Sequence, residues 1–132
     1  MVLLDTNVVS ELMKPVPAAE VVRWTASQPA TSLYTTSITE AEILHGIMLL
    51  PAGRRRKAMF LEDFSGRVLA FGSDAARVYA RIAADRRRAG RPISNFDAQI
   101  AAIARSTGAA IATRNVADYE GCGVRIVNPW EA

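Results

Sequence analysis

Short, continuously apolar runs alternate along this chain with stretches in which apolar residues recur every three or four positions. That alternation restricts the fold to the α/β class, with a mainly parallel central sheet of about five strands. Val2-Leu3-Leu4 has no polar face, which suits a strand covered on both sides. Leu33 to Thr36, Val68 to Phe71, Ala109 to Thr113 and Val124 to Val127 supply four further predicted strands. Helical patterns fill the intervals: Val8 to Met13, stopped near Pro15; Ala18 to Ser27; a helix capped by Ser37 or Thr39 and running to about Leu50; and Arg54 to Phe64. Two more follow, one capped by Ser73 and running to about Ala89 and one capped by Ser94 and ended by Gly108. In the first of these, Ala75, Val78, Tyr79, Ile82 and Ala83 keep the i, i+3, i+4, i+7, i+8 rhythm of a core-facing helix. Neither repeats nor a dividing linker interrupt the pattern, so residues 1–132 are expected to form one domain.

Four carboxylates fall where a strand gives way to a helix or just inside that helix: Asp5, Glu42, Asp97 and Asp118. Acids at the carboxyl ends of parallel strands converge on one crevice. Clustered carboxylates repel unless protons or hard cations neutralise them, so the pattern predicts a divalent-metal site. Each position also has a structural explanation. Asp5 could cap a helix, although Thr6 and Asn7 already offer that role. Glu42 and its neighbour Glu40 could complement a helix dipole or answer a capping hydroxyl. Asp97 lies three residues after Ser94, as in a capping box. Asp118 could be a turn residue. His45, the only histidine, follows Glu42 by three residues and reads mainly as a packed or exposed side chain.

Composition removes several alternatives. A single cysteine, Cys122, excludes an intramolecular disulfide and a thiolate metal cage. With one histidine there is no Ser-His-Asp set, and neither GxGxxG nor GxxxxGK[ST] occurs. No signal peptide and no membrane-spanning run is evident, so the cytoplasm is the expected compartment. The net charge is only +3, yet 11 of the 16 basic residues lie between Arg54 and Arg91. Arg54-Arg55-Arg56-Lys57 and Arg86-Arg87-Arg88 read either as solvated helix faces or as contacts to a polyanion.

Taken in order, Leu4-Asp5-Thr6-Asn7-Val8, Ser37-Ile38-Thr39-x-x-Glu42-Ile43-x-x-Gly46, Asp97-Ala98-Gln99-Ile100-Ala101-Ala102-x-Ala104, Ala112-Thr113-Arg114-Asn115 and the ending Asn128-Pro129-Trp130 resemble the PIN-domain nucleases. The resemblance is to the VapC/FitB-type toxins of bacterial toxin–antitoxin pairs and covers essentially the whole chain. It implies a three-layer α/β/α fold, a Mg²⁺- or Mn²⁺-dependent endoribonuclease, homodimerisation, and a cognate VapB/FitA-like antitoxin that occupies the site. By motif position the family's first acid corresponds to Asp5, the second to Glu42 rather than Glu40, and the third to Asp97. Many members carry Thr-x-Asp where this chain has Thr113-Arg114-Asn115, so either Asn115 or Asp118 is left to fill the fourth place.

Within that resemblance, Asp5 and Asp97 are the expected main metal ligands, with Glu42 and Asp118 or Asn115 contributing directly or through water. Thr6, Asn7 and Thr113 would orient them. Hydrolysis on this scheme leaves 5′-phosphate and 3′-hydroxyl ends. Arg54, Arg55, Arg56 and Lys57, with Arg86, Arg87, Arg88 and Arg91, would hold the RNA backbone. The competing reading is a PIN-like module that binds RNA or a partner without cleaving.

Overall fold

Five strands build one sheet: β1 (Val2–Leu4), β2 (Leu33–Thr36), β3 (Val68–Leu69), β4 (Ala110–Ala112) and β5 (Ile126–Val127). Their order is β3-β2-β1-β4-β5, and every pairing is parallel. These come from a computed structural model that describes residues 1–52 and 62–132. Among the described residues there are six α-helices: α1 (Thr6–Leu12), α2 (Ala19–Ser27), α3 (Ser37–Met48), α4 (Ser73–Arg88), α5 (Asn95–Thr107) and α6 (Val116–Tyr119). The predicted helix from Arg54 lies largely outside the described residues, as do Arg54, Arg55, Arg56 and Lys57 themselves.

Successive strand residues point to opposite faces of a sheet, and this divides the core in two. Leu3 and Ile111 face a cluster with Ile82 of α4 and Ile100 and Ile103 of α5. Their chain neighbours Leu4 and Ala112 face a second cluster with Val8 and Val9 of α1, Val21 and Trp24 of α2, and Ile43 and Ile47 of α3. The result is the three-layer α/β/α arrangement, and it explains why β1 carries no polar face. Full burial of Leu3, Leu4 and Ile111 contributes roughly 1.5–3 kcal/mol each relative to exposure.

Helix starts differ from expectation in three places, the first being α1, whose cap is Asp5 rather than Thr6 or Asn7. The cap of α3 is Thr36, whose hydroxyl accepts the Thr39 amide at 3.1 Å, not Ser37 or Thr39. Strand β2 runs straight into the helix, so its last extended residue is the one placed to cap. At α4 the cap position is Gly72 rather than Ser73, with no side-chain bond. Ser94 caps α5 as predicted, accepting the Asp97 amide at 3.2 Å, and Gly108 ends it at φ 74°, where glycine has no Cβ to clash. The start of α2 has no side-chain cap of its own. Instead Glu11 of α1 accepts the Ala18 amide at 3.0 Å while pairing with Lys14 at 3.0 Å, and these donors hold its carboxyl below the usual range.

The edge strands β3 and β5 have two residues each, shorter than their apolar runs suggested. Short edges limit unwanted strand addition. The central feature for function is β1, which sits between β2 and β4, with crossovers leaving to opposite sides. The crevice above the carboxyl ends of β1 and β4 is therefore the topological switch point, where open α/β sheets place their ligands.

Candidate active site

Asp5 leaves the end of β1 at that switch point. Register sets its environment: Leu4 pairs with Ala112, so the next residues, Asp5 and Thr113, stand side by side. The Thr113 hydroxyl donates to Asp5 Oδ2 at 2.9 Å, Asn7 Nδ2 reaches the same oxygen at 3.2 Å, and the Thr6 amide donates to Oδ1 at 2.8 Å. The residue is 5% exposed. Burial pushes its carboxyl above the usual value and the charge of Asp97 adds to that rise, while the hydrogen bonds from Thr113, Thr6 and Tyr119 pull it back. Asp5 is also the cap residue of α1, so the structural and chemical roles coincide.

Asn7 is a latch between α1 and the loop after β4. Its amide nitrogen donates to Asp5 and to the Thr113 hydroxyl at 3.2 Å, and its oxygen accepts the Arg114 amide at 3.0 Å. The Asn115 amide closes the turn on the Thr113 hydroxyl at 3.1 Å. Behind this loop, the Arg114 guanidinium lies 5.1 Å from the centre of the Trp130 ring, which ties the Asn128-Pro129-Trp130 ending to the site.

Asp97, in the first turn of α5, is half-buried and comes close enough to Asp5 for their charges to interact. Glu42 sits to one side on α3, where its Oε1 accepts the Thr6 hydroxyl at 2.8 Å; Thr6 also lies 3.2 Å from the Thr39 hydroxyl. Thr6 thus links the two acids through adjacent backbone positions, and this contact separates Glu42 from Glu40. A cavity of about 350 Å³ opens beside Glu42, running between α1 and α3 from Thr6 to Met13, Ile43, Ile47 and Leu50. His45 is exposed and lines a second hollow with Phe96, on the other side of Glu42.

The expected convergence of four carboxylates needs correction. Among the described residues, no three Asp, Glu, His or Cys side chains come together as a metal cage. What comes together is a pair, Asp5 and Asp97, with Glu42 alongside. Asp118 and Asn115 are both exposed. The short helix α6 instead turns Tyr119 inward: it is 1% exposed, and its hydroxyl donates to Asp97 Oδ1 at 3.2 Å. Burial and the two carboxylates push the phenol well above its ordinary value, so it remains a proton donor. Sequence reasoning passed over Tyr119 because a tyrosine carries no signal for an acid site. Its only hint was a large apolar ring three residues after Val116.

A second correction concerns Arg86. It is buried, not displayed. Its Nε donates to the Arg91 carbonyl at 2.7 Å, and its Nη1 to the carbonyls of Asp118 at 3.0 Å and Glu120 at 2.9 Å and to Cys122 Sγ at 3.4 Å. Four positions after Ile82, it continues the buried stripe of α4, so helical periodicity already contained the clue. Arg87, Arg88 and Arg91 are exposed, with Arg88 paired to Asp85 at 3.4 Å and Arg91 to Glu120 at 3.5 Å.

A pair of carboxylates suits a hard cation that binds through one or two acids and fills its remaining positions with water and substrate phosphate oxygens, as Mg²⁺ does. The oxygen donors of Asp5 and Asp97, with no sulfur beside them, agree with that class.

The fold, the acid pair at the switch point and its hydroxyl and amide supports together define an α/β protein with a polar crevice at the sheet's carboxyl edge. The PIN domain family matches residues 2–117, and the chain belongs to it. It is similar to the VapC ribonuclease Y4jK of Sinorhizobium fredii, at 41% identity over 99% of both chains. In structure it is similar to FitAcB from Neisseria gonorrhoeae, with a TM-score of 0.93 and 34% identity over the full length of both chains. A toxin–antitoxin complex from Klebsiella pneumoniae is also similar, with a TM-score of 0.76 and 25% identity over both full lengths. Among the described residues, no helix is long and apolar enough to cross a membrane.

Proposed function

We propose that this protein is a divalent-metal-dependent endoribonuclease toxin, acting in the cytoplasm and held inactive by a cognate antitoxin. The observation that carries the reading is the pairing of buried Asp5 with Asp97 at the switch point, in a chain similar to a named VapC ribonuclease. Asp5 and Asp97 would hold Mg²⁺ or Mn²⁺, with Glu42 acting beside them. The cation would supply charge neutralisation of the scissile phosphate and acidify an attacking water.

The chain's own contribution is orientation. Thr113, Asn7 and the Thr6 amide fix Asp5, and the Thr6 hydroxyl fixes Glu42. Glu42 would accept a proton from the attacking water, and its side chain, held by Thr6, would avoid reorganisation during reaction. Asn115 and Asp118, exposed at the rim, would contact solvent or substrate. The apolar cavity ending at Glu42 complements an antitoxin segment that combines aliphatic side chains with a cationic one. Exposed Leu44 and Phe96 offer apolar surface to a second copy of the chain.

Incubation of the purified protein with single-stranded RNA and Mg²⁺ is expected to give internal cuts ending in 5′-phosphate and 3′-hydroxyl, and chelation should stop them. Products with 2′,3′-cyclic phosphate would exclude the scheme. For RNA attraction, the acidic pair needs basic neighbours. Replacing Arg87, Arg88 and Arg91 together with Ala should weaken RNA binding and flatten its dependence on salt by up to about 2 in slope, at roughly 0.7 per lost phosphate contact. An unchanged slope in a filter-binding titration would return these residues to ordinary solvated surface.

A further inference from the structure

We infer that Tyr119 is a positioning residue of the metal site, its hydroxyl setting the carboxylate of Asp97 against that of Asp5 at a fixed separation. The inference rests on the metal-site reading above. The two acids are supported unequally. Asp5 receives bonds from Thr113, Asn7 and the Thr6 amide. The Asp97 backbone amide is taken by the Ser94 cap, and the bond that reaches its carboxylate comes from Tyr119. Asp97 is also the more exposed of the two, so without that bond its side chain would sample several rotamers.

Tyr119 can impose an orientation because it is itself immobilised. Its ring lies in the core cluster with Ile100, Ile103 and Ile111. The flanking carbonyls of Asp118 and Glu120 are both clamped by the buried Arg86 guanidinium, and the Cys122 amide donates to the Tyr119 carbonyl at 3.2 Å. The hydroxyl is thereby delivered to the acid pair from a rigid frame rather than from a mobile loop. Its bond occupies Asp97 Oδ1 and leaves the other oxygen for a cation. As a neutral donor between two anions, it also offsets part of their repulsion before a cation arrives. Groups that orient a metal ligand in this way typically contribute about 10–100-fold in affinity.

The test is Mn²⁺ titration, followed by water-proton relaxation, of the wild type, Tyr119→Phe, Asp97→Asn and the double variant. Phe keeps the ring and removes only the hydroxyl. Tyr119→Phe is expected to bind Mn²⁺ about 10–100-fold more weakly with a nearly unchanged melting temperature, and to add no further loss once Asp97 is Asn. Wild-type binding that is lost in Asp97→Asn but unchanged in Tyr119→Phe overturns the inference and leaves the metal site standing. Tighter binding by Tyr119→Phe would make the hydroxyl a competitor for the site and also overturn it. So would a Phe variant that fails to fold, since the hydroxyl would then serve stability. If the wild type itself binds no Mn²⁺, the metal reading falls and takes this inference with it.

Discussion

Asp5→Asn is expected to abolish RNA cleavage and, at the same time, to raise the melting temperature of the metal-free protein at neutral pH. The activity loss should exceed about a hundredfold, because removing only a supporting group from a metal ligand typically costs 10–100-fold. The stability gain follows from burial. The Asp5 carboxyl is raised above its ordinary 3.8 in the folded chain, so ionising it costs more there than in the unfolded chain. Its contribution to stability is complete below the unfolded value and is lost as pH rises through the folded one. Asn carries no charge and avoids that loss, and its amide oxygen can still accept the Thr6 amide; the nitrogen that replaces Oδ2 gives up the bonds accepted from Thr113 and Asn7, which offsets part of the gain. The gap between variant and wild type should therefore be widest at neutral pH and close as pH falls toward 4. Added Mg²⁺ should raise the melting temperature of the wild type and not that of the variant. Melting curves across pH, with and without metal, check both arms. Equal growth arrest on expressing Asp5→Asn and wild type would remove Asp5 from the chemistry and favour a non-catalytic binding module.

Arg86→Ala is expected to cost about 3 kcal/mol of stability, lowering the melting temperature by roughly 10 °C. The side chain joins α4 to the carbonyls of Arg91, Asp118 and Glu120, and truncation leaves these acceptors unpaired next to a new void. Arg87→Ala, on the exposed face of the same helix, should stay within about 0.5 kcal/mol. Because the Arg86 guanidinium holds the segment that carries Tyr119, the truncated variant should also lose metal affinity. Calorimetric melting of the two variants separates them directly; a wild-type melting temperature for Arg86→Ala would show that water replaces the guanidinium without cost.

The contrast between Arg86 and Arg87 shows where sequence reading ends. Both belong to one basic run, and charge alone assigns them to the same surface. Position on the helix decides otherwise: Arg86 falls on the stripe of Ala75 and Ile82, whereas Arg87 is turned outward. Tyr119 and Asp118 differ in the same way. The acid drew attention because acids bind cations, yet a four-residue helix points it to solvent and gives the inward position to the phenol.

Strand and helix types and the parallel sheet were legible because they depend on local periodicity and short-range order, whereas spacing left Glu40 and Glu42 equal and only the family resemblance preferred Glu42. Strand-end position assigned Asp5, Glu42, Asp97 and Asp118 to one crevice without ranking them; the weight on Asp5 and Asp97 came from the family resemblance, and only the fold turned Asp118 to solvent. What only the tertiary structure decided are contacts between residues far apart in the chain: Tyr119 on Asp97, Arg86 on the loop around Tyr119, and which acid each expected support reaches, Thr113 on Asp5 and Thr6 on Glu42. Those bonds depend on strand register and on which side of a helix meets the core. Side-chain chemistry proposes which residues can act, and packing selects which of them arrive.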